Sequence, residues 1–233
     1  MSKVIILNRS FYYFRRMWLT SLYRSSVIFC TINKIRYPHK AVNPKTDITI
    51  DGFPRSANTY CYFYFKHLNN DLQIAHHSHS YRQIIYSVKN KIPTVLLIRN
   101  PLDAISSLFI YHNQKIPIKS LAKAWINFYK PLIPLTNKMV IADFDDSVDN
   151  FSTIIKSVNE LYNTKFESKL YHDSIDEIKA LINNRNILKQ RTSLPSKLKK
   201  QIKNDISNKL KLDIKDYIDE LNNIYNIFLN EDI

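Results

Sequence analysis

DITIDGFPRSANTY, residues 47–60, is the stretch of this 233-residue chain that decides its fold. Residues 47–51 alternate polar with apolar side chains and have three β-branched residues at their centre, which predicts a β-strand. Residues 52–58 hold Gly, Pro, Ser and Asn and predict a turn, and a helix is expected from Thr59. A strand, a tight turn and a helix in this order direct backbone N–H groups and the positive end of a helix at one point. The stretch therefore predicts an anion-binding loop at the end of a strand.

This loop has the spacing of the nucleotide P-loop, G-x-x-x-x-G-K-[ST], with Gly52 at the first position and Thr59 at the last. Ala57 replaces the second glycine, which restricts the backbone there, and Asn58 replaces the lysine. ATPases and kinases use that lysine on the β- and γ-phosphates. The cation inside the loop is Arg55. The loop therefore predicts binding of a phosphate-like anion without the lysine of ATP hydrolysis.

Gly52 is the single glycine of the chain, where average usage of about 7% would give about 16. Glycine is used where the backbone needs a positive φ or where a ligand must approach closely. We therefore expect Gly52 to have a specific task in the loop. The alternative is an accidental strand–turn–helix that happens to contain the glycine.

Predicted strands alternate with predicted helices on both sides of this loop. Strands are expected at 47–51, 72–76, 94–98 and 138–143, and the apolar run TVLLI at 94–98 is typical of a strand buried on both faces of a parallel sheet. Helices are expected at 59–68, 80–90, 101–111, 121–132 and 148–162, followed by a charged helical remainder from 173 that Pro195 interrupts. The pattern predicts an α/β fold of the P-loop type, with a doubly wound parallel sheet flanked by helices and a helical C-terminal portion.

Two regions are expected, an N-terminal extension at 1–45 and one α/β domain at 46–233. The extension is rich in arginine and aromatic residues and ends in a turn-prone stretch at 37–45. One interpretation is a helix that packs on the domain. The other is a peripheral contact with a membrane, because a basic helix with Trp and Phe suits the headgroup layer.

A second group of functional residues follows the strand predicted at 94–98. Arg99 stands at the carboxyl end of that strand, where open α/β sheets bind their ligands. Ser107 lies eight residues later, two turns along the predicted helix, so its hydroxyl and the Arg99 guanidinium can converge on one phosphate. The alternative is a local ion pair between Arg99 and Asp103.

Together the two segments resemble the sulfotransferases that use 3'-phosphoadenosine 5'-phosphosulfate (PAPS). The 5'-phosphosulfate loop of that family reads roughly P-[KR]-S-G-[TN]-T-[WY], and residues 54–60 read PRSANTY. Its 3'-phosphate motif reads roughly R-[ND]-P-x-D-x-x-x-S, and residues 99–107 read RNPLDAISS. The 44 residues from Arg55 to Arg99 suit a compact member, and the resemblance extends to about Phe166.

The resemblance implies transfer of a sulfuryl group from PAPS to a hydroxyl of an acceptor, with a carbohydrate as the first expectation. Arg55 would contact the 5'-phosphosulfate and stabilise charge on the bridging oxygen, and Arg99 and Ser107 would bind the 3'-phosphate. The implied PAPS-binding loop consists of Pro54, Arg55, Ser56, Ala57, Asn58, Thr59 and Tyr60. Such a transfer needs in-line placement and stabilisation of the leaving phosphate, without a metal ion.

Three histidines follow the strand predicted at 72–76, in the run AHHSH at 75–79. The family deprotonates its acceptor with a histidine or a carboxylate, and His77, 22 residues before Arg99, matches members that use a Thr–His pair. His79 is the second candidate for this base. Ala75 stands where such members often have a lysine. No metal is expected, because adjacent histidines on a strand point to opposite faces and no acidic or cysteine ligand is expected nearby.

The family clamps adenine with a basic C-terminal segment, often R-K-G, and this triplet is missing here. The nearest basic candidates are Arg185, Lys189 and Arg191. A solvated helix end explains these three residues equally well.

The chain carries a net charge of +14, from 34 Lys and Arg residues against 20 Asp and Glu. An acidic or sulfated glycan acceptor fits this charge, and coding bias toward Lys explains it nearly as well. Two rival functions are a kinase with a degenerate P-loop and a catalytically inactive protein that binds an anionic glycan or nucleic acid. The missing loop lysine opposes the first, and the sequence has no motif of a nucleic-acid-binding module.

The location is predicted from cysteines and apolar segments. Cys30 and Cys61 are the only cysteines, no apolar run approaches the length of a membrane span, and residues 1–16 lack the apolar core of a signal peptide. We therefore expect a cytoplasmic protein, with contact to a membrane surface through residues 1–45 as the alternative described above.

Overall fold

The computed structural model describes residues 39–169, 172–188 and 210–229, together with Ile32, Lys34, Ile35 and Tyr37. In the helix at 172–188, side chains are described for 175–184. The predictions for the N-terminal extension therefore lie outside the described residues, apart from its last segment. There the buried Val42 packs with Ala75 and Ile92, and its N–H donates to the side-chain oxygen of Gln83 over 3.1 Å. This segment thus packs on the α/β domain.

Within the described residues, four parallel strands form one sheet in the order β2-β1-β3-β4. The strands are β1 (Ile48–Gly52), β2 (Ile74–His76), β3 (Thr94–Leu97) and β4 (Val140–Ala142). The α-helices are α1 (Asn58–Leu68), α2 (Tyr81–Lys89), α3 (Pro101–Tyr111), α4 (Ile118–Tyr129), α5 (Phe144–Asp149), α6 (Phe151–Tyr162), α7 (His172–Leu188) and α8 (Ile218–Leu229). Two 3₁₀ segments span Lys130–Lys138 and Lys215–Tyr217. The predicted α/β class, with a parallel sheet flanked by helices, is confirmed.

Helices cover both faces of this sheet, because successive residues of a strand point to opposite sides. Val95 and Leu97 belong to a core cluster that contains residues of α1, α6 and α7. Leu96 and Ile98 belong to a second cluster that contains residues of α2, α3, α4 and α8. All four of these side chains are fully buried, as the apolar run at 94–98 predicts.

The winding of the chain reverses between β1 and β3. Helix α1 leads from β1 to β2 on one face, and α2 leads back past β1 to β3 on the other. The loop after β1 and the loop after β3 therefore both leave the carboxyl edge of the sheet, but each leads to a helix on a different face. Open α/β sheets bind their ligands in the crevice that such a reversal creates.

Some boundaries differ from the predictions for local reasons. β4 is shorter than 138–143, because Lys138 ends a 3₁₀ segment and Asp143 is the N-cap of α5. The helix predicted at 148–162 is two helices, since Asn150 between them has φ −146° and ψ 48°. The helix predicted at 121–132 begins at Ile118 and ends at Tyr129, where a 3₁₀ segment with prolines takes over.

The described C-terminal part is helical, as predicted, and packs into the core. Leu221, Ile224 and Phe228 of α8 are buried, and the ring of Phe228 lies 5.7 Å from that of Tyr129. No helix in the described part of the chain combines the length and apolar character needed to cross a membrane.

Candidate functional site

The loop between β1 and α1 closes on itself at the carboxyl edge of the sheet. Phe53 is buried, and its carbonyl accepts hydrogen bonds from the Ser56 N–H over 3.3 Å and from the side-chain amide of Asn58 over 3.0 Å. Helix α1 begins directly after this loop, and its N-cap Ala57 makes no side-chain cap hydrogen bond. The first turn of a helix has N–H groups without helical partners and a partial positive charge. The loop and helix thus place N–H donors and a positive helix end at the carboxyl edge of the sheet.

Two non-glycine residues of this loop have left-handed backbone conformations. Arg55 has φ 77° and Ala57 has φ 60°. Ala57 occupies the second glycine position of the P-loop spacing, so an alanine holds the conformation for which glycine is favoured. A left-handed conformation costs an L-residue about 1–2 kcal/mol. The loop therefore stores backbone strain beside the predicted site.

Gly52 is required for a reason that differs from the expected one. Its φ is not positive, so left-handed backbone freedom is not its task. A Cβ on Gly52 would lie 2.1 Å from the carbonyl oxygen and 2.9 Å from the Cβ of Leu97, its partner on β3. The group that approaches Gly52 closely is therefore the backbone of the neighbouring strand β3, at Leu97. The single glycine allows β1 and β3 to meet where their two loops begin.

Arg55, Arg99 and Ser107 come together next to the loop. The Nε–H of Arg55 donates to the Ser107 hydroxyl over 3.0 Å, and its guanidinium lies 5.2 Å from the centre of the Tyr111 ring. An Nη1–H of Arg99 donates to the carbonyl of Arg55 over 3.0 Å. Ser107 is thus held by Arg55, and Arg99 contacts the backbone of the same arginine. The two predicted segments form one cationic cluster.

Arg99 lies in a largely closed environment. Its guanidinium stacks 3.8 Å from the centre of the Phe144 ring, and its Nη2 lies 3.9 Å from a carboxylate oxygen of Asp103. Burial lowers the pKa of Arg99, while the carboxylates of Asp103, Asp143 and Asp145 oppose that shift. Among the described residues, its buried Nε has no hydrogen-bond partner. An arginine remains protonated under such conditions, so Arg99 offers a buried positive charge and an unused N–H.

His77 and His79 lie beside the loop, in the segment that follows β2. The Nε2 of His77 lies 3.1 Å from the Thr59 hydroxyl, and its Nδ1 lies 2.6 Å from the Nδ1 of His76. The Nδ1 of His79 lies 2.8 Å from the carbonyl oxygen of Gly52. Both candidate bases are therefore in contact with residues that flank the loop between β1 and α1.

The expected geometry of the histidine run is wrong in two respects. β2 ends at His76, and His77 and His79 have φ of 52° and 50°, so the rings do not alternate as on a strand. The rings of His76 and His77 instead lie 4.8 Å apart. A carboxylate is also close, because Asp51 Oδ1 lies 3.5 Å from the Nδ1 of His79.

Asp51, the last residue before Gly52, ties the histidine segment to the loop. The side chain is fully buried and accepts hydrogen bonds from the N–H of Ser78 over 2.8 Å and of His79 over 3.1 Å. The side-chain amide of Gln83 donates to it over 3.1 Å. The sequence pattern placed Asp51 only in a strand. An acidic residue at the buried end of a strand, directly before the loop, was the available signal.

Tyr129 holds the start of the loop to the end of β3. Its buried hydroxyl donates to the carbonyl of Leu97 over 2.8 Å and accepts from the N–H of Phe53 over 3.3 Å. Burial raises the pKa of Tyr129, so the hydroxyl keeps its proton. This role was not predicted, and a tyrosine in a helix carries no signal for it.

Other predicted residues lie at the margin of the site. Tyr60 points from α1 toward Tyr64, with ring centres 6.0 Å apart, and burial raises its pKa to about 12. The candidate adenine clamp lies outside the described residues, because Lys189, Arg191 and the side chain of Arg185 are not among them. Within the described part of the chain, no group of three or more His, Cys, Asp or Glu side chains could hold a metal ion.

Comparison with known proteins adds no assignment to this geometry. No protein-family model matches the chain, and no curated protein matches it. The interpretation of the site therefore depends on its own residues and contacts.

Proposed function

We propose that this chain is a PAPS-dependent sulfotransferase with a doubly wound fold of the P-loop type. It would transfer a sulfuryl group from PAPS to a hydroxyl of an acceptor, with a carbohydrate as the first candidate. One observation carries the proposal: Arg55 and Ser107, from two motifs 52 residues apart, are hydrogen-bonded at the reversal point of a parallel sheet. The resemblance in sequence named these same two segments.

The residues present fit an anion with two separate phosphate groups. The loop before α1 supplies N–H groups and a helix end without a side-chain cap, which suits the 5'-phosphosulfate. On the other side of Arg55, Arg99 has a buried Nε without a partner among the described residues, which suits the 3'-phosphate. Arg55 lies between the two, with its carbonyl on Arg99 and its Nε on Ser107.

Arg55 is the residue that would stabilise the developing charge. Its guanidinium carries a fixed positive charge inside the loop, and enzymes commonly gain more rate from electrostatic stabilisation of this kind than from any other single effect. The loop that carries it is bonded at Phe53 and at Asn58, so the charge is held in place before any ligand arrives. Arg55 thus acts by position rather than by covalent chemistry.

A histidine beside the loop would take the proton of the acceptor hydroxyl. His77 touches Thr59 and His79 touches Gly52, so either ring lies at the edge where the sulfuryl group would be transferred. A neutral imidazole accepts a proton near pH 7. The net charge of +14 fits an acceptor that is itself anionic.

Thermal unfolding with 3',5'-adenosine bisphosphate, the product of the donor, tests this function. At 100 times its Kd a ligand stabilises by about 2.7 kcal/mol, which for a chain of this size raises Tm by roughly 5–10 °C. We expect that shift with the bisphosphate and little with AMP, because Arg99 would bind the 3'-phosphate. A shift with ATP–magnesium alone would favour a kinase, and no shift with any of the three would favour an inactive binding protein.

A substitution at Arg99 tests whether the bisphosphate raises Tm by binding at this residue. Arg99→Gln should abolish most of the shift given by the bisphosphate, since the side chain loses its charge. Arg82→Gln is the matched control, because Arg82 is a buried arginine whose guanidinium lies over the Tyr81 ring on α2. An equal loss of the shift in both variants would contradict the assigned 3'-phosphate site.

A further inference from the structure

The C-terminal helix α8 reaches the site through one hydrogen bond. The hydroxyl of Tyr225 donates to Oδ1 of Asp143 over 2.8 Å, between residues that are 82 positions apart in sequence. Leu221, Ile224 and Phe228 of the same helix are buried in the core, so the position of α8 on the domain is fixed. A side chain from the end of the chain is thereby bonded to the residue that directly follows β4.

Asp143 stands next to the surroundings of Arg99. It is the N-cap of α5, and its second carboxylate oxygen accepts from the N–H of Asp145 over 3.5 Å. The residue after it is Phe144, whose ring centre lies 3.8 Å from the Arg99 guanidinium. Burial lowers the pKa of Arg99, and Asp103, Asp145 and Asp143 oppose that shift by their charge. The carboxylate of Asp143 is therefore within electrostatic reach of Arg99.

The ion pair that Arg99 makes in the structure is with Asp103, over 3.9 Å, whereas the two oxygens of Asp143 are bonded to α8 and to its own helix. Carboxylates and arginines form strong, often bidentate pairs where their geometry allows. A second carboxylate on Arg99 would occupy donors that a phosphate needs and would repel the phosphate by its charge. The hydrogen bond from Tyr225 opposes such a pair, because Asp143 would have to give it up.

We propose that Tyr225 is a positioning residue for the 3'-phosphate: its hydroxyl keeps the Asp143 carboxylate bonded to α8, so that the Arg99 guanidinium is available to the nucleotide. This inference rests on the proposed function and deepens it, because it gives the C-terminal helix a part in nucleotide recognition. Tyr225 acts here through Asp143. Its effect should therefore depend on the charge of that residue.

Isothermal titration calorimetry of the full chain with 3',5'-adenosine bisphosphate tests this role. Tyr225→Phe keeps the ring that packs on the core and removes the hydroxyl. We expect its Kd to rise about tenfold, a usual scale for coupling between neighbours in one network. Tyr162→Phe is the matched control and should leave the Kd unchanged, because the Tyr162 hydroxyl donates over 2.6 Å to the carbonyl of Lys138, beyond the opposite end of β4. Equal Kd values for the two variants would overturn the proposal.

A double variant separates an effect of charge from structural damage. Asparagine is as good a helix N-cap as aspartate and has no charge. Asp143→Asn combined with Tyr225→Phe should therefore bring the Kd back to within about twofold of the wild type, the usual error of additivity. A merely structural role of Tyr225 predicts no such rescue. A double variant that binds as weakly as Tyr225→Phe alone would contradict the proposal.

NMR of the arginine Nε–H groups tests the same contact without ligand. The signal of Arg99, assigned with Arg99→Gln, should move in Tyr225→Phe, because the Asp143 carboxylate then reaches the guanidinium. The signal should return toward its original position in the double variant and stay in place in Tyr162→Phe. If Tyr225→Phe left the signal unmoved, Tyr225 would not control this contact. Failure of the proposed function would look different: the wild type would not bind the bisphosphate, and the NMR result would still decide the role of Tyr225.

Discussion

The Nε–H of Arg55 donates a hydrogen bond to the hydroxyl of Ser107 over 3.0 Å, which joins the loop between β1 and α1 to helix α3. The carbonyl of the same arginine accepts from Arg99. Arg55 therefore connects the loop after β1 to the residue after β3 through both its side chain and its backbone. The position of Arg55 therefore depends on its own loop, on the end of β3 and on α3.

The proposed function predicts that replacement of Arg55 by alanine removes most of the transfer of sulfate from PAPS. The loss should be about 10²–10³-fold, the usual effect of deleting one group that stabilises transition-state charge. Lys89→Ala is the control, because Lys89 is an exposed cation at the last turn of α2. The measurement is the rate of transfer from labelled PAPS at saturating donor. An Arg55→Ala enzyme as fast as the control would remove Arg55 from the mechanism.

Ala57→Gly should stabilise the folded chain by about 1 kcal/mol. Glycine removes the left-handed strain, which costs about 1–2 kcal/mol. Part of this gain in stability is lost because glycine increases the conformational entropy of the unfolded chain. Ala124→Gly, in the middle of α4, should destabilise by about 1 kcal/mol. Urea unfolding of both variants checks the opposite signs. Two changes of the same sign would mean that the strain at Ala57 is not released.

Gly52→Ala should destabilise the chain by about 3 kcal/mol or prevent its folding, because overpacking of this kind has no flexible neighbour to relieve it. The added methyl would meet the backbone oxygen of Leu97 at 2.1 Å. The urea midpoint and the yield of folded protein measure the effect. If Gly52→Ala were as stable as the wild type, β1 and β3 could not approach each other as closely as described.

The stability of the chain should fall with rising pH above about 9. Burial raises the pKa of the Cys61 thiol well above its ordinary value of 9.0, so the unfolded chain releases this proton first. The contribution is therefore fully present below pH 9 and is lost above it at about 1.4 kcal/mol per pH unit for one group. Tyr60, with its pKa raised to about 12, adds to the loss from its ordinary value of 10.0 upward.

Cys61→Ala separates the thiol from the tyrosines. The variant should be less stable at every pH, because it leaves a cavity, yet its unfolding free energy should fall less steeply between pH 9 and 10. Urea unfolding at pH 8, 9 and 10 gives the slopes. Parallel curves for variant and wild type would show that Cys61 is not the titrating group.

The sequence predicted the class of fold because apolar patterning is a local property. The run at 94–98 is buried on both faces, and proline begins α3 at Pro101, as predicted. The two motifs also identified Arg55 and Ser107, since spacing along a strand–turn–helix unit determines which edge of the sheet a residue reaches. The partner of each side chain depends on distances between elements. The sequence therefore could not show that Ser107 is hydrogen-bonded to Arg55.

The parts of the site that sequence analysis missed depend on tertiary contacts. Asp51 has the appearance of a strand residue, and Tyr129 that of a core residue of a helix. Each bonds backbone groups that are far away in sequence, at Ser78 and at Phe53. The geometry of the histidines was predicted wrongly because strand alternation was applied to the whole run at 75–79, although the strand ends at His76 and the backbone turns left-handed at His77.

Four residues around the site, Arg55, Ala57, His77 and His79, adopt a left-handed backbone without being glycine. Such residues lose fewer conformations on folding than glycine would, and a strained backbone persists only where the surrounding structure fixes it. The segments at 55–57 and 77–79 would then already have their ligand-binding conformation before an anion binds. Association should be a single diffusive step without a slower closing phase. In stopped-flow experiments each trace should fit one exponential, and the observed rate constant should rise linearly with ligand concentration.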